Sequence, residues 1–126
     1  MQTIGKQWES VMQQFTLLSG QSADGFGEPA EINTDRVGFQ PSLYGTSGAL
    51  SATVRLWASV DSKHWYLVAS FALAGTVVTA GTAVDTAIES WEAPVPYWKA
   101  EVADLVGTGA AVDVSGVAAR PTSDVA

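Results

Sequence analysis

Apolar and polar side chains alternate with a period of two along much of this chain, the repeat of a strand that faces two ways. The clearest case runs from Ala49 to Val60. Ala52, Val54, Leu56, Ala58 and Val60 form one face there, and Thr53, Arg55, Trp57 and Ser59 form the other. Asp61-Ser62-Lys63 then supplies turn residues, and a second strand is predicted from His64 to Ala74. Trp65, Leu67, Ala69, Phe71 and Leu73 would share one of its faces, and Tyr66, Val68, Ser70 and Ala72 the other. Neither face is polar, so this strand is expected to be covered on both sides or to lie at a subunit contact.

Shorter signals surround this pair. In the first 18 residues Ile4, Trp8, Val11, Met12 and Phe15 recur at helical spacing, while Phe15-Thr16-Leu17-Leu18 reads as a strand. A short helix or irregular arm is expected over residues 3–11, capped by Thr3, with a strand over about 12–19. Residues 19–29 form a turn-rich loop, followed by strands near 30–33 and 36–40 and a second loop from Pro41 to Gly48. Residues 76–90 read as one or two short strands. Another runs from Tyr97 to Leu105, with Trp98, Ala100 and Val102 opposite Lys99, Glu101 and Ala103. Gly107-Thr108-Gly109 turns into a last strand from Ala110 to Val117. These elements predict an all-β fold, an antiparallel β-sandwich or jelly roll of about eight strands with a short N-terminal helix or arm. The expected organisation is an arm and first strand over 1–18, a sandwich over 19–119, and a flexible tail over 120–126.

Composition narrows the function. Of 126 residues, 47% are hydrophobic and 15% charged, which suits a β-domain that packs against other protein. The net charge is −7, and the six basic residues are scattered, so neither nucleic acid nor an anionic membrane is an expected partner. Cysteine is absent, which removes disulfides and thiolate metal sites. The N-terminus shows no signal-peptide pattern, and no apolar run approaches the ~20 residues a bilayer helix needs.

No catalytic, cofactor or metal site is expected. The one histidine, His64, lies in a hairpin without a nucleophile motif nearby. Gly25-Phe26-Gly27-Glu28-Pro29-Ala30 matches a dinucleotide-binding spacing but lacks the strand before it and the helix after it. Glu89 and Glu92 flank Trp91, which resembles a glycosidase acid pair but reads as a solvated loop. The aromatics stand out instead, with five Trp in the chain. Trp57 sits on the less apolar face of its strand, and the neighbours Trp65/Tyr66 and Tyr97/Trp98 must each point one ring away from the other. Trp57, Tyr66, Trp91 and Tyr97 are therefore candidate interface anchors, with Trp8 and Phe15 in the N-terminal arm.

The segment Leu50–Trp65, and within it Val54-Arg55-Leu56-Trp57-Ala58-Ser59-Val60-Asp61-Ser62-Lys63-His64-Trp65, resembles a hairpin of small structural proteins from tailed bacteriophages. Phe71–Thr76, Pro96–Val102 and Leu105–Val114 resemble later strand ends and turns of the same family. Ser62-Lys63 stands where that family often has Gly, and Lys99 where it often has Arg. The resemblance implies a virion component used in many copies and assembled in the host cytoplasm, most specifically a capsid decoration or cement protein. Its partners would be capsid or other virion proteins and further copies of itself, with a trimer favoured. A neck or tail component is the nearer alternative. The hairpin is also similar to one in discoidin-like carbohydrate-binding domains, which makes a glycan the alternative ligand.

Overall fold

The computed structural model describes residues 10–32, 34, 36–92 and 95–121. Two antiparallel five-stranded sheets face one another. The first contains β1 (Ser10–Gln21), β4 (Arg36–Tyr44), β7 (Asp85–Thr86), β8 (Glu89–Glu92) and β10 (Ala111–Pro121). Its order is β1-β10-β4, with β8 and β7 end to end along the far side of β4. The second contains β2 (Gly25–Phe26), β3 (Ala30–Glu31), β5 (Ser47–Ser59), β6 (Tyr66–Thr76) and β9 (Tyr97–Thr108). Short β2 and β3 flank β9, which pairs with β5, and β5 pairs with β6 at the edge.

The alternation read from the sequence places the core. Val37, Phe39, Leu43, Val112, Val114 and Ala118 point inward from the first sheet. Ala52, Val54, Leu56, Ala58, Leu73, Trp98, Ala100 and Val102 meet them from the second. Trp98 is 1% exposed, and its indole N–H donates to the Val95 carbonyl at 2.8 Å, so burial leaves no donor unpaired. Phe39 lies 4.9 Å from Trp98, and Trp91 lies 5.9 Å from Phe39, between ring centres.

Several expectations are corrected. The strands number ten rather than about eight, because β2, two residues with no periodic signal, lies in the segment read as loop, and the region read as one or two short strands over 76–90 leads into both β7 and β8. Residues 10 and 11 lie in β1, and no helix occurs among the described residues; residues 3–9, with Trp8, lie outside them. Arg120 and Pro121, assigned to the tail, pair with Val11 and Ser10. The expected divisions at 18/19 and 119/120 thus fall inside neighbouring strands of one sheet.

The loop expected from Pro41 to Gly48 is mostly strand, with Pro41–Tyr44 in β4 and Ser47–Gly48 in β5. Proline is tolerated mid-strand because of where its missing N–H would point. The Pro41 carbonyl accepts from the Ala87 N–H at 3.2 Å, so its backbone polar groups face the junction between β7 and β8, where the ladder is already interrupted. No bond to β10 is lost.

Candidate functional site

The hairpin joining β5 and β6 is built by one carboxylate. Asp61 accepts the backbone N–H groups of Lys63 and His64, each at 2.9 Å, and the Ser59 hydroxyl at 2.9 Å. The His64 ring Nδ1 lies 2.7 Å from its other oxygen. The backbone and ring hydrogen bonds of His64, then those of Lys63 and Ser59, hold the Asp61 carboxyl well below the usual carboxylate range. Ser62 adopts a φ of 63°, the left-handed geometry this turn requires.

Immediately after the turn, β6 carries a bulge. Leu56 pairs with Ala69, but Trp57 pairs with Leu67, which leaves Val68 as the extra residue. The bulge shifts the alternation of everything before it. Ala69, Phe71 and Leu73 face inward together, whereas Leu67, expected on their face, joins Trp57 on the outer face and Val68 packs on the core. Trp65 goes outward too, where the Lys99 ammonium lies 4.3 Å from its ring centre.

The result is an aromatic and cationic patch on the outer face of the second sheet. Phe26 arrives on β2 opposite Glu101 and is 52% exposed. Its ring centre lies 6.3 Å from that of Trp57 and 4.3 Å from the Lys99 ammonium, which is thus shared by Phe26 and Trp65. The Trp57 indole N–H donates to Glu101 at 3.1 Å, and Arg55 pairs with the same carboxylate at 3.5 Å. Leu67, 40% exposed and opposite Trp57, continues the patch toward the hairpin. With Arg55 and Lys99 against Glu101, the patch carries two positive charges and one negative in a chain whose net charge is −7.

The six sequence candidates divide. Trp57 belongs to this patch, whereas Tyr66, opposite Ala58, lies exposed on the other face of the sheet. Tyr97 lies half-buried at the start of β9, between Glu31 and Ser59. Phe15 and Trp91 converge elsewhere, both on Phe39, at centroid distances of 5.6 and 5.9 Å. Trp8 lies outside the described residues. Phe26, Trp65, Leu67 and Lys99 were not singled out. Two of them depend on the bulge, and Phe26 was assigned to a loop.

A shallow groove of about 550 Å³ crosses the outer face of the first sheet. Gln14, Thr16, Gln40, Ser115, Val117 and Ile88 line it over Gly38, and none of its lining side chains ionises. Beside it, the Tyr44 hydroxyl and the Gly20 N–H both bond to Asp113, at 3.1 and 2.6 Å, and tie β1, β10 and β4 together. Burial, and then the Asp113 carboxylate, push the Tyr44 phenol up. Among the described residues no cluster of His, Cys, Asp or Glu could hold a metal ion.

Compared with solved structures, the two-sheet arrangement matches the SPBc2 prophage-derived protein YomS with a TM-score of 0.53 at 19% identity, over 89% of this chain and 96% of that one. The chain shares its fold with a prophage protein. The VP2 subviral particle of infectious bursal disease virus matches with a TM-score of 0.51 at 10% identity, over 89% of this chain. This chain spans 33% of the VP2 chain. At these identities the likeness is one of fold. No family model and no curated protein matches the sequence.

Proposed function

We propose that this chain is a non-enzymatic structural protein of a tailed-bacteriophage virion and, within the virion, a head decoration or cement protein that bridges capsid subunits. The observation that carries the reading is the outer patch of Phe26, Trp57, Trp65 and Leu67 around Lys99. Rings of this size dominate interface energetics, and a small sandwich with its core already filled by Trp98 and Phe39 has no interior use for them. Support for the setting comes from the likeness to a prophage-derived protein over nearly the full length of both chains, and from the same fold within a viral capsid protein. Repetition over a shell makes modest contacts effective, because each bound copy raises the effective concentration of the next contact.

A sugar-stacking role has less behind it. The Lys99 ammonium lies against both Phe26 and Trp65, and the indole edge of Trp57 is held by Glu101. The deciding experiment incubates the pure chain with capsids that lack it. Binding in symmetric stoichiometry, lost in Trp57→Ala, is the expected result. Absence of capsid binding alongside binding to purified necks or tails would move the protein to the tail, and binding to neither would overturn the virion role.

A further inference from the structure

The open edge of β6 differs from the aromatic patch in what it offers, which is backbone. Among the described residues β6 pairs with β5 alone. Two bonds fix which way its peptide groups point. The Val77 N–H donates to Gly48 on the β5 side at 2.9 Å, and the Ala74 N–H donates to the Asp85 carboxylate at 3.0 Å, away from β5. Alternation then turns the N–H and C=O groups of Ser70 and Ala72 to the open side. The side chains there are small, and Ser70, Ala72 and Ala74 are all exposed. From Tyr66 to Thr76 the strand has no charged residue and no proline, the two residue types that ordinarily blunt an edge.

We propose that β6 pairs with β6 of a second copy, antiparallel about a two-fold axis at Phe71, to join two five-stranded sheets into one continuous sheet. The features at either end set the register. At Ala74 the outward N–H is already taken by Asp85, and at Val68 the bulge ends the regular strand. Between them only Ser70 and Ala72 present free backbone groups. Centring the pair on Phe71 sets Ser70 opposite Ala72 of the second copy, and Ala72 opposite its Ser70, so that both positions exchange hydrogen bonds. The two Phe71 rings, half-buried and on the inward side, then meet at the close-spaced pair between them. The paired positions themselves carry no charge, so two chains of net charge −7 can meet there without like charges directly opposed, and the nearest carboxylate, Asp85, lies at the end of the register on the Ala74 N–H. An edge that pairs with itself closes at two copies, so the contact is two-fold rather than the three-fold association expected from the resemblance. The inference stands apart from the virion reading and is tested on the pure chain.

The chain contains no cysteine, so introduced thiols report cleanly. Sedimentation equilibrium over a concentration series is expected to show a monomer–dimer equilibrium for the native chain, and a monomer for Ala72→Lys with an unchanged far-UV spectrum. The double variant Ser70→Cys/Ala72→Cys is expected to form a disulfide-linked dimer on mild oxidation, because opposed residues of such a pair sit within disulfide range, while either single variant cross-links far less. A monomer at every concentration overturns the proposal. So does a trimer, a dimer indifferent to Ala72→Lys, or equal cross-linking by the single and double variants. Capsid binding that Ala72→Lys abolishes, in a chain that never self-associates, would give the edge to a capsid strand instead.

Discussion

The ring of Phe15 lies so close over Gly116 that a β-carbon there would stand 2.5 Å from its Cε2 and Cζ atoms. Gly116 pairs with Phe15 across β1 and β10, and the missing side chain lets the ring lean inward to meet Phe39 edge-on. Gly116→Ala must push the ring aside, and overpacking of this kind costs about 1–3 kcal/mol. Urea unfolding of the variant should show a lower midpoint with an unchanged slope.

Trp98 and Trp57 should separate stability from attachment. Trp98→Ala empties the centre of the core and is expected to cost about 3–5 kcal/mol. Trp57→Ala is expected to lower the melting temperature much less while it weakens capsid binding more. A large loss of stability with unchanged binding would reverse the assignment of Trp57.

Lys99 contributes through its charge as well as its stem. Lys99→Met keeps the length, removes the ammonium shared by Phe26 and Trp65, and should cost about 1 kcal/mol, whereas Lys99→Arg should retain most of that contribution. Chemical denaturation of the three proteins in parallel makes the comparison.

The β5–β6 hairpin should resist acid. A carboxyl whose folded-state value is lowered contributes stability that is fully present above its unfolded value and is lost as the pH falls through the folded one. Asp61 is such a group, so its bonds to the Lys63 and His64 amides should persist to about pH 3, where ordinary carboxylates are largely protonated. NMR titration of those two amides tests this, and Asp61→Asn should move both at neutral pH.

The fold was legible where alternation ran long. Residues 52–58 and 98–102 were assigned to the correct faces because a half-buried strand writes its pairing into every second position. The strand β2 was not legible, since two residues carry no period and their pairing depends on the partner strand, while β3 and β7 fall within the strands expected near 30–33 and within 76–90. Pro41 misled for a different reason. Proline marks loops by the hydrogen bond it cannot donate, and here the surrounding strands ask for none. The patch was half visible. Trp57 followed from parity, but Trp65 and Leu67 were put on one face with Ala69, Phe71 and Leu73, because one inserted residue at Val68 inverts the alternation and leaves no mark in composition. Nor could parity bring Phe15 and Trp91 to one inner ring, Phe39, because that meeting spans strands far apart in the chain.

The middle place of β10, between β1 and β4, has a consequence for synthesis. Residues 10–21 leave the ribosome first of the described strands and then wait for residues 111–121, the last of them, before they gain the one sheet neighbour they have among the described residues. Until then β1 and one side of β4 are bare edges, whereas β5 and β6 can zip together as soon as their hairpin emerges. The growing chain is therefore most prone to mispairing late in translation, and nascent-chain folding should be abrupt, arriving with the last strand.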